Sequence, residues 1–241
     1  LNQTLLTTAL PTLMKEFDIS ASSVQWLTTG FLLVNGIMIP ISAWLINKFS
    51  SKKLYITAMS TFLIGTIICF VAQDFGMLLT GRLVQAAGVG VSMPLLQTIM
   101  LSIFPPEKRG AAMGTTGIVI GLAPALGPTL SGWIIDSYTW RDLFGMVIPI
   151  VVLVLILASF LMKNVIQLSN PSIDVLSVIL STLGFGSLLY GFSSVGNKGW
   201  GSPQVYGFLI VGAIVLCLFT YRQLHLEQPF LELRVFKSKV F

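Results

Sequence analysis

The stretch that decides the fold is FGMLLTGRLVQAAGVGVSMPLLQTIMLSIF, residues 75–104. It is long enough to cross a bilayer as a helix, yet it carries Arg82 inside its apolar part. At about 1.5 Å of rise per residue, Arg82 lies roughly 12 Å along the helix from Asp74, well inside a hydrocarbon layer about 30 Å thick. A charge at that depth is costly, so such residues usually face the interior of a bundle or a water-filled cavity.

A small and polar stripe beside Arg82 supports this inward orientation. Gly81, Gln85, Gly88 and Ser92 recur at spacings of three and four residues and therefore share one face of the helix. Two interpretations of the arginine are open. It belongs to a functional polar network, or it only pairs with an acid and holds the bundle together. We favour the functional interpretation.

Composition extends the membrane assignment to the whole chain. Of the 241 residues, 54% are hydrophobic and only 10% are charged, which is far more apolar than a soluble domain. We therefore predict an all-α polytopic membrane protein. The residues before Pro11 are too few to span a bilayer, so we expect the second half of a truncated first helix rather than a signal peptide. Apolar runs of spanning length follow at about 24–46, 54–72, 76–103, 111–135, 143–162, 173–195 and 204–222.

Loop charges predict the orientation, because positive residues in short loops stay on the cytoplasmic side. One set of loops holds most of the cations: Lys48, Lys52, Lys53, Lys108, Arg109, Lys163, Arg222, Arg234, Lys237 and Lys239. The opposite loops hold only three, among several acids: Lys15, Arg141 and Lys198, beside Glu16, Asp18, Asp74, Asp136 and Asp142. The first helix is therefore predicted to run outward from the cytoplasm, and the net charge of +5 gives no reason to expect a nucleic-acid partner.

Two further segments each have a functional and a plain interpretation. The loop AWLINKFSSKKLY, residues 43–55, either clamps helix ends electrostatically or is an ordinary positive anchor. The fifth helix carries a ladder of small residues and the segment GLAPALGPTLSG at 121–132, in which two prolines each remove a backbone hydrogen bond. That helix either flexes or seals during a cycle, which we favour, or simply packs tightly. The ladder comprises Gly110, Gly114, Gly117, Gly121, Ala125, Thr129 and Gly132.

These segments together resemble the drug:proton antiporters of the major facilitator superfamily, in the branch with fourteen membrane helices. The signatures are LNQTLLTTALP at 1–11, AWLINKFSSKKL at 43–54, RLVQAAGVG at 82–90 and GLAPALGPTLSG at 121–132. WRDLF at 140–144 and EQPFLELRVF at 227–236 are also similar to this branch. The family fold is about twice as long as this chain. The resemblance therefore implies a six-helix N-terminal bundle, an inserted helix pair and a missing C-terminal half.

The resemblance also implies a division of the chain and a role for particular residues. The bundle would cover 1–163, the inserted pair 172–222, and a cytoplasmic lead into the missing half 223–241. Arg82, Gln85 and Asn2 would belong to a proton-coupling network. The antiporter-motif helix would contribute Gly121, Pro124, Gly127, Pro128 and Gly132. The cytoplasmic gating loop would contribute Asn47, Lys48 and Lys52.

The sequence departs from the family pattern mainly by losing charges. Asn2 stands where an aspartate is common, Asn47 replaces the loop aspartate, and Ser51 replaces its arginine, which weakens an ion-pair mechanism of gating. No aspartate or glutamate lies in the middle of an apolar run, and Arg82 stays protonated. We therefore expect the proton-carrying carboxylate in the missing half, with Asp174 as the one serious rival in this chain.

The implied function is efflux of drugs or other amphipathic compounds in exchange for protons, by alternating access in a bacterial cell membrane. A facilitator or symporter for a sugar or organic ion on the same fold is the alternative. A third hypothesis, outside transport, is that the chain is part of a membrane scaffold or receptor. No phosphate-binding G-x-x-x-x-G-K-[ST] loop occurs, His225 is the only histidine, and Cys69 and Cys217 have no ligand spacing. We therefore expect no enzymatic activity, no metal and no cofactor, with the bilayer, protons and amphipathic substrates as partners. An adaptable lining for such substrates could be supplied by methionine and aromatic side chains, namely Met38, Met93, Met100, Phe31 and Trp26.

Overall fold

The structure is a computed structural model that describes residues 2–166, 168 and 174–226, without the side chains of Asn2, Gln3 and Asn197. The motif at 227–236, the cations Arg234, Lys237 and Lys239, and residues 172–173 lie outside the described part. The described residues form α1 (Asn2–Glu16), α2 (Ala21–Val24), α3 (Trp26–Lys48), α4 (Ser51–Phe70), α5 (Phe75–Ile103), α6 (Pro106–Ser137), α7 (Asp142–Gly145), α8 (Val147–Leu161), α9 (Val175–Lys198) and α10 (Pro203–His225).

The predicted all-α membrane fold is confirmed. Within the described residues, seven helical segments are long and apolar enough to cross a membrane, counting α2 with α3 and α7 with α8. They match the seven runs read from the sequence, and no strand occurs among the described residues. Many of their apolar side chains are exposed, for example Phe160 at 84% and Ile118 at 66%, as expected where lipid is the solvent.

Two of these spans are broken near their N-terminal ends, a detail that the apolar runs did not predict. The fifth of the seven spans is interrupted at Met146, between α7 and α8. Pro149 explains this break, because it has no N–H for the carbonyl of Gly145 and its ring crowds that carbonyl. The break at Gln25 is not caused by a proline. Here Ser20 caps the short α2 by accepting a hydrogen bond from the Ser23 N–H at 3.2 Å.

α5 lies at the centre of the bundle because glycines on two of its faces admit two neighbours. On one face, an added Cβ at Gly88 would lie 2.5 Å from the Ala58 carbonyl oxygen of α4. On another, an added Cβ at Gly90 would lie 2.5 Å from the Met38 Cβ of α3. Real Cβ atoms do not approach so closely, so both contacts depend on glycine. The stripe predicted beside Arg82 does face a neighbouring helix, and that helix is α4.

The remaining helices pack outside this centre. α1 lies along α6, and α8 packs against α4. α9 and α10 form an antiparallel pair whose α9 lies along α3, where an added Cβ at Gly36 would meet Leu189 Cδ1 at 2.9 Å. The Ser193 hydroxyl donates to Thr29 Oγ1 at 3.2 Å in the same contact. The helix pair is thus joined to the bundle through α3, although its division from the bundle at 163 stays a prediction.

Contacts at the helix ends define two opposite ends of the bundle. At one end, the Lys52 N–H donates to Asn164 Oδ1 at 3.4 Å, joining the start of α4 to the segment after α8. At the other end, the Arg141 guanidinium pairs with Glu16 Oε1 at 2.9 Å and donates to the Ala72 carbonyl at 2.9 Å. The basic loops therefore share one end, as the positive-inside pattern requires.

The orientation itself is tested by labelling. Single cysteines at Lys53 and His225 should react only with reagent that reaches the cytoplasm, whereas cysteines at Lys15 and Lys198 should react from outside. All four positions are exposed or end a helix, so the substitutions leave the packing intact. The measurement is labelling by a membrane-impermeant maleimide in a cysteine-free background, before and after permeabilisation. Labelling of the Lys198 site only from the cytoplasm would overturn the predicted topology.

Candidate functional site

The site begins with the residue that starts α5. Asp74 precedes the helix and its Oδ1 accepts a hydrogen bond from the Met77 N–H at 2.9 Å, which satisfies one of the free donors of the first turn. This cap fixes where the helix starts and therefore how deep Arg82 lies within it. The Arg82 side chain is fully buried, with an exposed fraction of 0%.

A chain of hydrogen bonds leads from Arg82 into α4. Arg82 Nη1 donates to Gln85 Oε1 at 2.8 Å, and Gln85 Nε2 donates to Thr66 Oγ1 at 2.8 Å. The Thr66 hydroxyl then donates to the Phe62 carbonyl, also at 2.8 Å. Gln85 and Thr66 are fully buried as well. The prediction that Arg82 and Gln85 lie together in the bundle interior is confirmed, while their role in proton coupling stays a prediction.

An aromatic ring covers the other side of the guanidinium. The Arg82 Cζ lies 4.3 Å from the centre of the Phe31 ring on α3, and Phe31 is 3% exposed. A cation over a ring face is attracted by the ring quadrupole, and the attraction grows when both groups are desolvated. Arg82 therefore connects α3, α4 and α5. Phe31 is a partner of Arg82 in this structure, and its place in a substrate lining stays a prediction.

The network depends on the close approach of α4 and α5. An added Cβ at Gly65 would lie 2.5 Å from the backbone nitrogen of Gln85, and one at Gly81 would lie 2.6 Å from Cys69 Sγ. These two glycines lie directly beside the hydrogen-bonded side chains. They let the amide of Gln85 reach across to Thr66 without displacing either backbone.

Asn2, the third member of the predicted network, lies in the first turn of α1. Its side chain is outside the described residues, so its contribution stays a prediction. The next turns of α1 lie along α6. There the Ser131 hydroxyl donates to the Leu5 carbonyl at 2.6 Å and also contacts the Thr8 hydroxyl.

The antiporter-motif helix contacts α1 through only part of its motif. An added Cβ at Gly127 would lie 2.8 Å from the Thr4 Cβ, so α1 requires glycine there. Pro124 and Pro128 lie between Ala123 and Ser131, both of which bond to α1, and α6 continues through both prolines from Pro106 to Ser137.

The glycines of the small-residue ladder have no close neighbour in the described part of the chain. An added Cβ at Gly121 or Gly132 would meet no atom within 4 Å, and the same is true of Gly110, Gly114 and Gly117. No backbone approaches these glycines within the described residues, and the close approach expected along the ladder stays a prediction. Within the described residues, the close contact of α6 is at Gly127, which lies outside the ladder, because only one side of α6 faces α1.

The predicted gating loop has local contacts. Asn47 Nδ2 donates to the Ala43 carbonyl one turn earlier at 3.0 Å, and Lys48 Nζ lies 4.7 Å from the centre of the Trp44 ring. Lys52 contributes its backbone N–H to Asn164. Neither lysine forms an ion pair with a described residue. This agrees with the loss of the loop aspartate and leaves the gating role as a prediction.

The sequence did not predict which residues of other helices join the network of Arg82 and Gln85. Thr66 is a polar residue in the middle of the apolar run 54–72, and that position was the available signal. The sequence also did not predict the cluster at the outer end, where Trp140 Nε1 donates to Glu16 Oε2 at 2.6 Å and the Arg141 guanidinium lies 4.3 Å from the centre of the Trp140 ring. No spacing within either segment indicates that pairing.

The fold and the site define a class. Membrane-length helices surround a buried arginine that is bonded to the amide of Gln85, which in turn bonds to the Thr66 hydroxyl, as in multi-pass proteins that move solutes through a polar interior. A family model described as Major Facilitator Superfamily matches residues 1–230. The chain belongs to the major facilitator superfamily, as the sequence motifs predicted.

Curated relatives cover the whole chain. It is 58% identical over 241 residues to the MFS-type transporter YcnB of Bacillus subtilis, 47% over 242 residues to the lincomycin resistance protein LmrB of the same organism, and 31% over 243 residues to the multidrug export protein EmrB of Escherichia coli. Each match covers 100% of this chain and 51%, 50% and 48% of the relative, respectively. The chain thus spans about half the length of the curated relatives it matches. Bacterial relatives and seven described spans confirm a multi-pass bacterial membrane protein.

A solved structure agrees with the fold. The chain matches a bacterial homologue of the human lysosomal transporter Spinster, in an inward-facing and occupied conformation, with a TM-score of 0.52 and 18% identity. The match covers 96% of this chain and 60% of the other. At this identity the similarity supports the fold and carries no information on substrate.

Proposed function

We propose that this chain is part of a secondary transporter that exports amphipathic compounds, including antibiotics, in exchange for protons. The buried network of Arg82, Gln85 and Thr66 is the observation that carries the proposal, because a fixed cation deep in a bundle is expensive and needs a functional reason. The names of the relatives, lincomycin resistance and multidrug export, support export of drugs over the alternative of sugar or organic-ion uptake.

The mechanism that fits is alternating access. A proton or substrate shifts the equilibrium between two arrangements only by its differential affinity for them. Arg82 stays protonated and so cannot carry the proton itself. It can bias an acid across the transport path, because the electrostatic attraction of a nearby cation favours the ionised form of a carboxyl group. Glycines at Gly65 and Gly81 keep the path between α4 and α5 closed, so the transport path is proposed on another side of α5.

The acid is proposed to lie outside these 241 residues. Asp174, the alternative candidate in this chain, forms a bidentate ion pair with Arg222. Arg222 Nε donates to Asp174 Oδ2 at 2.8 Å and Arg222 Nη2 donates to Asp174 Oδ1 at 2.9 Å. Its Oδ2 also accepts a hydrogen bond from the Ser177 hydroxyl at 2.5 Å. The bond to Arg222 is the main cause that lowers the pKa of Asp174 to about 2, against a partial burial that raises it. A carboxylate held ionised in this way is unsuited to exchanging a proton near neutral pH.

Substituting Asp174 should therefore leave proton coupling unchanged. We expect Asp174→Asn to keep the pH dependence of efflux, because the wild-type group is already ionised throughout the working range. Its cost should be in stability. The ion pair contributes above the unfolded pKa of about 3.9 and its contribution is lost as pH falls toward the folded value of about 2. Ser177→Ala is the matched control, since it removes one bond and keeps the charge. If Asp174→Asn alone removed the pH dependence while substrate still bound, the coupling site would be in this chain.

The function is tested by efflux of a fluorescent cationic dye from cells that carry the full-length protein. We expect dye to leave against its gradient and the efflux to stop when a protonophore collapses the proton gradient. Facilitated uptake of a sugar or organic ion would instead continue down its own gradient without protons. Efflux that persisted with the protonophore would contradict proton antiport. Purified protein that bound no amphipathic ligand would contradict drug transport.

A further inference from the structure

A crevice between α3 and α4 opens near the cytoplasmic end of the bundle. Both helices pack against α5, but they have few contacts with each other. The resulting cavity has a volume of about 290 Å³, with Ala87, Gly88 and Val91 of α5 at its base. It is distinct from the Arg82 network, because Gln85, Thr66 and Phe31 do not line it.

The walls of the crevice suit a hydrocarbon chain. They are formed mainly by apolar side chains, among them Met38, Leu45 and Ala58. Polar groups on the walls are few, and the Thr61 hydroxyl is already bonded to the Thr57 carbonyl at 2.9 Å. A polar solute would find few partners here, whereas an apolar chain would lose nothing by entering.

The crevice has a cation at its open end and aromatic rings beside it. Lys53 lines the crevice close to the start of α4, and the exposed Phe49 also lines the crevice. Phe49 packs edge-on against Trp44 with ring centres 6.1 Å apart, and Lys48 lies over Trp44. Aromatic rings together with lysines are typical of the level of the lipid headgroups. From Lys53 to Thr61 the crevice then extends about 12 Å into the hydrocarbon layer.

We propose that this crevice binds an anionic phospholipid of the cytoplasmic leaflet. One acyl chain would lie between α3 and α4 over Gly88, and the headgroup phosphate would meet Lys53. The charge of Lys53 decides in favour of this occupant, because it attracts an anionic lipid and repels a cationic amphipath. A lipid bound there would support the two helices at the loop that joins them.

Lipid binding to the purified full-length protein tests this assignment. The probes are phosphatidylglycerol and phosphatidylcholine with the same acyl chains, and the readout is lipid adducts in native mass spectrometry together with the thermal unfolding temperature. We expect phosphatidylglycerol to bind more tightly. Lys53→Gln should weaken its binding about fivefold and leave phosphatidylcholine unchanged. Lys163→Gln is the matched control, since it removes a lysine at the same end that does not line the crevice.

Filling the crevice is the second test. Thr61→Phe should block phosphatidylglycerol, whereas Ile64→Phe, on the same helix but outside the crevice and 55% exposed, should not. Lys53 is exposed, so its variant keeps the test valid even if Thr61→Phe folds poorly. Unchanged phosphatidylglycerol affinity in Lys53→Gln would overturn the proposal. So would displacement of the lipid by a cationic dye, which would make the crevice a substrate site.

Discussion

Arg82→Ala is expected to abolish proton-driven efflux while the protein still inserts and folds. The substitution deletes the cation that Phe31 covers and leaves Gln85 Oε1 without its donor in a fully buried site. An unsatisfied buried polar group costs about 1–3 kcal/mol, which a multi-helix bundle can tolerate, but the charge itself is not replaced. Transport of a fluorescent substrate and surface abundance should be measured on the same cells.

The conservative and the matched variants make this result interpretable. Arg82→Lys should restore little efflux, because a compact ammonium cannot hold Gln85 and stack on Phe31 with one planar group. Arg109→Ala, which removes an exposed arginine at the cytoplasmic end, should leave efflux close to wild type. Normal efflux by Arg82→Ala would mean that the arginine only holds the bundle together.

The second large effect is expected at Gly127. Gly127→Leu should prevent α1 from docking on α6, because even the first added carbon would lie 2.8 Å from the Thr4 Cβ. Overpacking in a close contact typically costs about 1–3 kcal/mol, and here the bonds from Ser131 and Ala123 to α1 would be lost with it. We expect a lower unfolding temperature in detergent and loss of transport together.

Gly121→Leu is the internal control on the same helix. It adds the same side chain where no atom lies within 4 Å, so the unfolding temperature should stay close to that of the wild type. Transport then separates two interpretations of the open ladder. If Gly121→Leu folds normally but does not transport, this face of α6 makes a contact elsewhere in the cycle, as proposed for the antiporter motif. Equal loss of stability at both glycines would contradict the packing of α6 described above.

The sequence predicted what depends on a single helix. Runs of apolar residues long enough to span a bilayer predicted the membrane helices, because length and hydropathy are properties of one segment. The stripe of Gly81, Gln85, Gly88 and Ser92 predicted which face of α5 turns inward, because residues three and four apart share a face. Local chemistry also set where α5 begins, at the cap from Asp74.

Tertiary structure alone decided which segments meet. Gln85 and Thr66 are 19 positions apart and Glu16 and Arg141 are 125 apart, so no spacing in the sequence links them. The glycines of α6 show the same limit, because Gly121 and Gly127 look alike in sequence and only the position of α1 distinguishes them. The physical reason is that periodicity fixes a face relative to its own helix axis. Which neighbour covers that face depends on close packing between distant segments, and in lipid that packing is selected by small residues and buried polar groups.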